Sequence, residues 1–109
     1  MKPRKPIRSQ STKRRREMDV YRTQRLLFLH DHPGCQACAA RGQKPNLATE
    51  IHHKHGRVGR LLNYQPCWVS VCRNCHDWIQ NQPTAARALG LLAPVGQWNS
   101  MPKGAHDVR

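Results

Sequence analysis

Two stretches decide how this chain folds: "HPGCQAC" at residues 32–38 and "CWVSVCRNCHDWI" at residues 67–79. Each holds a C-x2-C pair, Cys35 with Cys38 and Cys72 with Cys75, and 33 residues separate the two pairs. A C-x2-C turn presents two thiolates on one face of a tight knuckle, and two knuckles together supply the four-sulfur tetrahedron that holds structural zinc. The spacing therefore predicts a Zn2+ ion on Cys35, Cys38, Cys72 and Cys75 that ties the end of one helix to the start of another. A Cys2His2 finger on Cys35, Cys38, His52 and His55 fits less well. Only one residue pair separates those histidines, where such fingers use roughly three to five residues, and Cys72 and Cys75 would be stranded. A redox role wants a βαβ context that the chain does not offer.

Composition makes the metal matter. The chain has 109 residues, is 38% hydrophobic and contains a single Phe. A domain this small buries little apolar surface and usually needs a metal, disulfides or a partner. The five cysteines are odd in number and paired by spacing, which favours metal binding in a reducing compartment, hence a cytoplasmic location, over a disulfide framework. Nineteen Lys and Arg stand against six Asp and Glu, a net charge of +13 that points to a polyanionic partner, nucleic acid first. The basic N-terminus lacks the apolar run of a secretory signal, and no stretch is long and apolar enough to span a membrane.

Outward from the cysteines, residues 1–16 carry eight Lys/Arg, two Pro and no acid, and read as a disordered basic arm. Residues 17–32 read as a helix with Met18, Tyr21, Phe28 and Leu29 on one side, stopped by Pro33 and Gly34. A polar loop follows "CQAC". "ATEIHH" and "CWVSVC" read as strands, joined by a Gly- and Arg-containing connector. A helix begins after the second C-x2-C turn, with Trp78 and Ile79 on its buried face. Pro83 closes it and opens a short Ala-rich helix that ends at Gly90. Trp98 is expected to dock. The functional domain is thus 17–98, with a flexible tail over 99–109.

Between the cysteine pairs lies "TEIHHKHGR", residues 49–57. With the thiolates committed to zinc, His52, His53 and the distant His76 are free for other chemistry, provided the fold brings them to one cleft. His55 reads as a loop residue near phosphate. Arg57, Arg60 and Arg73 are candidates for phosphate contacts, with the arm adding non-specific affinity. Only Glu50 and Asp77 lie near the motif, too few carboxylates for a two-metal nuclease. Glu50 is placed to orient a histidine, and Asp77 is at least a favourable charge in a helix's first turn.

"TEIHHKHGR … CWVSVCRNCH", set between two C-x2-C pairs, resembles the His-Asn-His (HNH) endonucleases, in particular the small bacteriophage and prophage type, over about residues 13–92. The resemblance implies a small α+β fold: a ββα-metal, treble-clef-like core with an N-terminal helix and a structural zinc. It implies hydrolysis of DNA phosphodiester bonds, leaving 5′-phosphate and 3′-hydroxyl ends. His53 matches the general base, and His52 and His76 match the ligands of one catalytic divalent cation. Two imidazoles suit Mn2+, Ni2+, Co2+ or Zn2+ at least as well as Mg2+. The family's middle Asn is displaced. Cys67 holds its expected place nine positions before His76, and Asn63 lies four residues earlier. Either Asn63 braces the base from a shifted position, or Cys67 fills the site or merely packs in the strand. The helical turn after His76 offers Gln80, a poor ligand. DNA is the implied partner, held mostly by its backbone with weak sequence preference, and a phage packaging enzyme is a second; the chain is expected to act as a monomer. The alternative is a non-catalytic zinc module that binds nucleic acid.

Overall fold

The computed structural model describes residues 11–102. Helix α1 spans Thr12–Asp31. It starts ahead of the expected residue 17 because Ser11 caps it: the Ser11 hydroxyl accepts from the Arg14 amide at 3.0 Å, taking up one of the first-turn N–H groups that no intrahelical carbonyl can reach. Residues 12–16 of the expected arm are therefore helical, and residues 1–10 lie outside the described residues. The predicted face is the one that packs. Tyr21 is buried, and Met18, Phe28 and Leu29 pack with it against Ile51, Leu62 and Trp68.

Helix α2 is Gln36–Ala40, strand β1 is Glu50–His53, strand β2 is Trp68–Val71, helix α3 is Arg73–Asn81 and helix α4 is Pro83–Ala88. Part of the expected loop after "CQAC" is thus helical. The connector between the strands is also more structured than its composition indicates. It forms 3-10 turns at Gly59–Asn63 and Gln65–Cys67 and buries Leu61 and Leu62. Gly90, with a positive φ of 74°, lies just past the end of α4, in the left-handed conformation that a terminating glycine adopts without steric cost.

β1 and β2 pair antiparallel, with Glu50 opposite Val71, Ile51 opposite Ser70, His52 opposite Val69 and His53 opposite Trp68. Directly paired residues share a face and neighbours alternate. One face therefore carries Glu50, His52, Val69 and Val71, and the other carries Ile51, His53, Trp68 and Ser70. The ribbon divides two cores. Val69 and Val71 pack with Ile79, Ala86, Leu91 and the four paired cysteines, while Ile51 and Trp68 pack under α1. Four of the ten buried residues in the first core are cysteines, so the sulfur cluster is that core's centre rather than an appendage. The whole is a small mixed α+β structure, and no helix among the described residues is long and apolar enough to cross a membrane.

Candidate functional site

The sulfur cluster is built by two equivalent local structures. Cys35 caps α2 and accepts from the Cys38 amide at 3.3 Å; Cys72 caps α3 and accepts from the Cys75 amide at 3.4 Å. The C-x2-C spacing works because the capping sulfur and the sulfur three residues on end up on one side of a helical first turn. All four sulfurs lie within 4.8 Å of one another, with Cys38 Sγ 3.4 Å from Cys75 Sγ and 3.9 Å from Cys72 Sγ. A tetrahedron with Zn–S bonds of about 2.3 Å has edges of about 3.8 Å, so the donor set and its spacing fit a structural metal such as zinc. Arg41 Nη1 donates to Cys75 Sγ at 3.4 Å, with its guanidinium stacked 4.2 Å over the Trp78 ring. Asn46 Nδ2 approaches Cys72 Sγ at 3.9 Å. Burial opposes ionisation at Cys35 and Cys75 and pushes the Cys75 thiol up to about 12. At Cys72 burial is outweighed by donors led by the Cys75 amide, and the thiol falls to about 7. A thiolate-binding cation is the natural way to hold all four sulfurs in the charged form. Cys67 stays outside the cluster. It is buried, and burial raises its thiol pKa.

The second feature is a cleft of about 400 Å³ at the end of β1, lined among others by His52, His53, His76, Arg57, Gln80 and Trp98. The strand stops at His53 and the chain turns at Lys54, so the cleft takes in side chains from both faces of the ribbon. The three predicted histidines thus share one cavity, although 22 residues lie between His53 and His76.

Hydrogen bonds select the tautomers. His52 Nε2 is 2.8 Å from the Leu91 carbonyl and His53 Nε2 is 3.1 Å from the Leu62 carbonyl. A carbonyl only accepts, so Nε2 carries the hydrogen in both rings and, in the neutral ring, Nδ1 keeps the lone pair. Burial disfavours the imidazolium and pushes both pKa values down to about 4, so both rings are neutral at pH 7. His76 is oriented the other way round. Its Nδ1 lies 2.7 Å from Glu50 Oε1. The bond from His76, followed by the Arg73 charge, holds the Glu50 carboxyl below its usual range against the opposing effect of burial. An ionised carboxylate only accepts, so His76 Nδ1 donates and the neutral ring keeps its lone pair on Nε2. A carboxylate behind a histidine is the arrangement that orients a metal ligand and raises its basicity. The His52 and His76 rings lie 5.3 Å apart, centroid to centroid. The nitrogens left with lone pairs, His52 Nδ1 and His76 Nε2, are of the donor type that borderline divalent ions accept.

The remaining predicted residues divide. Asn63 Nδ2 donates to the Glu17 carbonyl at 2.9 Å, which pins the 3-10 turn to α1, and the neighbouring Leu62 carbonyl holds both His53 Nε2 and, at 2.9 Å, Trp68 Nε1. Asn63 Oδ1 is buried without a hydrogen-bond partner. The Cys67 carbonyl accepts from the amide of Lys54, the residue after the histidine strand, at 2.9 Å. Arg57 lines the cleft with its guanidinium 5.1 Å from the Tyr21 ring centroid, and its carbonyl accepts from Arg14 Nη1 at 3.3 Å. Arg60 is exposed on the 3-10 turn. Arg73 is engaged by Asp77 at 2.8 Å and Glu50 at 3.4 Å, so its charge is already partly matched. His55 is not an open loop residue. It is buried, and its Nδ1 donates to the Ser100 carbonyl at 3.0 Å.

Sequence reasoning missed the two carbonyls that set the histidine tautomers and the place of Trp98 on the cleft wall. A carbonyl belongs to every residue, so nothing in the letters for Leu62 or Leu91 marks it. No protein-family model, curated protein or solved structure matches the chain.

Proposed function

We propose that the protein is a metal-dependent DNA endonuclease of the HNH type, with His53 as general base and His52 and His76 as ligands of one divalent cation. The observation that carries this reading is the cleft's division of labour: two buried imidazoles each tied through Nε2 to a carbonyl, and a third held from behind by Glu50. His53, neutral and with its lone pair on Nδ1, takes a proton from water as that water attacks phosphorus. The bond from phosphorus to the 3′ oxygen breaks, and that oxygen takes a proton from solvent, leaving 5′-phosphate and 3′-hydroxyl ends. A bound divalent ion supplies stabilisation of the charge gathering on the phosphoryl and departing oxygens. Leu62 fixes the ring of the base, Glu50 that of His76, and Arg57 offers a cation to the neighbouring phosphates. Arginine contacts to phosphates carry no sequence information, which implies weak sequence preference.

Plasmid cleavage with Mg2+, Mn2+, Ni2+ and Zn2+ tests this directly. His53→Ala should lower the rate by about 100-fold or more while zinc content, folding and DNA binding stay near wild type. A zinc-loaded wild-type protein that cuts no DNA with any of these ions leaves the second reading, a non-catalytic nucleic-acid-binding zinc module, which the sulfur cluster and the charge support equally well.

A further inference from the structure

Trp98 is 54% exposed, yet it lines the histidine cleft, as does Arg57. The other two tryptophans behave as core residues: Trp68 is buried and Trp78 packs against the sulfur-centred core. Trp98 is also held in place by several independent features. The Asn99 amide donates to the His55 carbonyl at 2.8 Å, and buried His55 donates to the Ser100 carbonyl at 3.0 Å. Asn99 adopts a positive φ of 63°, which costs a non-glycine residue energy. Gly56 has a φ of 92°, and a Cβ there would collide with Asn99 Oδ1 and come within 3.3 Å of the Trp98 ring. The chain therefore anchors the two residues that follow Trp98 while leaving Trp98 itself half-exposed, where apolar surface in water gains nothing for stability.

From this we infer that Trp98 is a stacking platform for an unpaired nucleobase at the cleft. An indole face stacks on any base, whatever its identity, and neighbouring arginine charge serves the attached phosphate. Bases inside a duplex are already stacked on each other, so the platform selects single-stranded or locally unpaired DNA: a flap, a bulge, a junction or a frayed end. This rests on the nuclease reading and narrows its substrate, placing an unpaired nucleotide next to the phosphate that His53 serves.

The test measures binding rather than cutting, in full-length zinc-loaded protein carrying His53→Ala. The probe is a single-stranded oligodeoxynucleotide containing 2-aminopurine, compared with the same strand in a duplex. Adding Trp98→Ala should weaken single-strand binding about fivefold or more and abolish the quenching of 2-aminopurine. Duplex affinity should change less than about twofold, and Trp98→Phe should keep most of the single-strand affinity. Unchanged zinc content and circular dichroism establish that each variant is folded. Equal single-strand affinity with and without the indole, or equal losses on both probes, overturns the inference, as does absence of binding to either probe. Plasmid cleavage by the wild type is scored separately: cutting that persists while Trp98→Ala leaves single-strand binding intact sinks the platform alone, and absence of cutting with stacking retained sinks the nuclease alone.

Discussion

His52 and His53 are neighbours in sequence but belong to different faces of the ribbon, and each is buried against a different carbonyl. What they share is the cost of carrying charge there. Both pKa values lie near 4 in the folded chain against 6.5 for the free side chain, so the unfolded state binds more protons between those values. Stability from these residues is fully present above about pH 6.5 and is lost as pH falls toward about 4. NMR of the imidazole carbons should therefore show both rings still neutral at pH 5.5, with the hydrogen on Nε2. Titration of either ring near 6.5 would contradict the burial. The same shift keeps His53 deprotonated as a base, so cleavage should not fall off merely because pH drops from 7 to 6.

Glu50 supports His76 from behind. It lies two positions before His52 on the shared face, which is why it reaches His76. Glu50→Gln keeps the shape but can accept only a weaker, uncharged hydrogen bond. On the proposed function, affinity for a divalent ion in the cleft should fall about 10- to 100-fold, read by Mn2+ titration of cleavage, with the four-sulfur zinc content unchanged. An unaltered Mn2+ dependence would remove Glu50 from the site.

Among the elements, the 3-10 turn Gly59–Asn63 matters most, because it is where α1 meets the strand that carries His53, the proposed base. Leu62 offers the carbonyl that orients His53, and Asn63 bonds the turn to the Glu17 carbonyl of α1. Asn63 thus holds the ring of His53 at one remove. Asn63→Ala deletes a partly buried hydrogen bond worth about 1 kcal/mol, which for a domain of this size lowers Tm by roughly 4–8 °C. Cleavage should decline more than the unfolding explains, because the Leu62 carbonyl loses its support. A normal Tm together with normal cleavage would show that Asn63 braces nothing. Cys67→Ala should lack this signature, since the bond from Lys54 is to the Cys67 carbonyl, which every residue has.

For the molecule as a whole, the sulfur cluster supplements two cores that are small for a chain of this size. Structural Zn2+ contributes an apparent ~10–16 kcal/mol in small peptides, as large as the entire stability of most domains, about 5–15 kcal/mol. Chelation should therefore unfold the protein, with loss of helical circular dichroism and of cooperative melting, and readdition of Zn2+ should restore both. Cys72→Ser should do the same without chelator, whereas Cys67→Ala should leave one equivalent of zinc bound. A chelated protein that melts as before would show that the apolar contacts suffice alone.

What the linear sequence settled by itself is the local chemistry. The C-x2-C spacing encodes a helix-capping knuckle, because Cys35 and Cys72 each cap a first turn with residues only three apart. The Met18, Tyr21, Phe28 and Leu29 stripe encodes the packed face of α1, and Pro83 and Gly90 punctuate α4. The start of α1 was obscured because the cap, Ser11, lies inside a basic run whose charge masks its helical continuity. Only the tertiary structure decided which atoms the histidines use. His52 depends on a carbonyl 39 residues away, His76 on a carboxylate 26 residues away, and Trp98 on a turn more than 40 residues before it. Such contacts depend on backbone groups and on long-range closure around the sulfur cluster, and neither is written in the identity of any single residue.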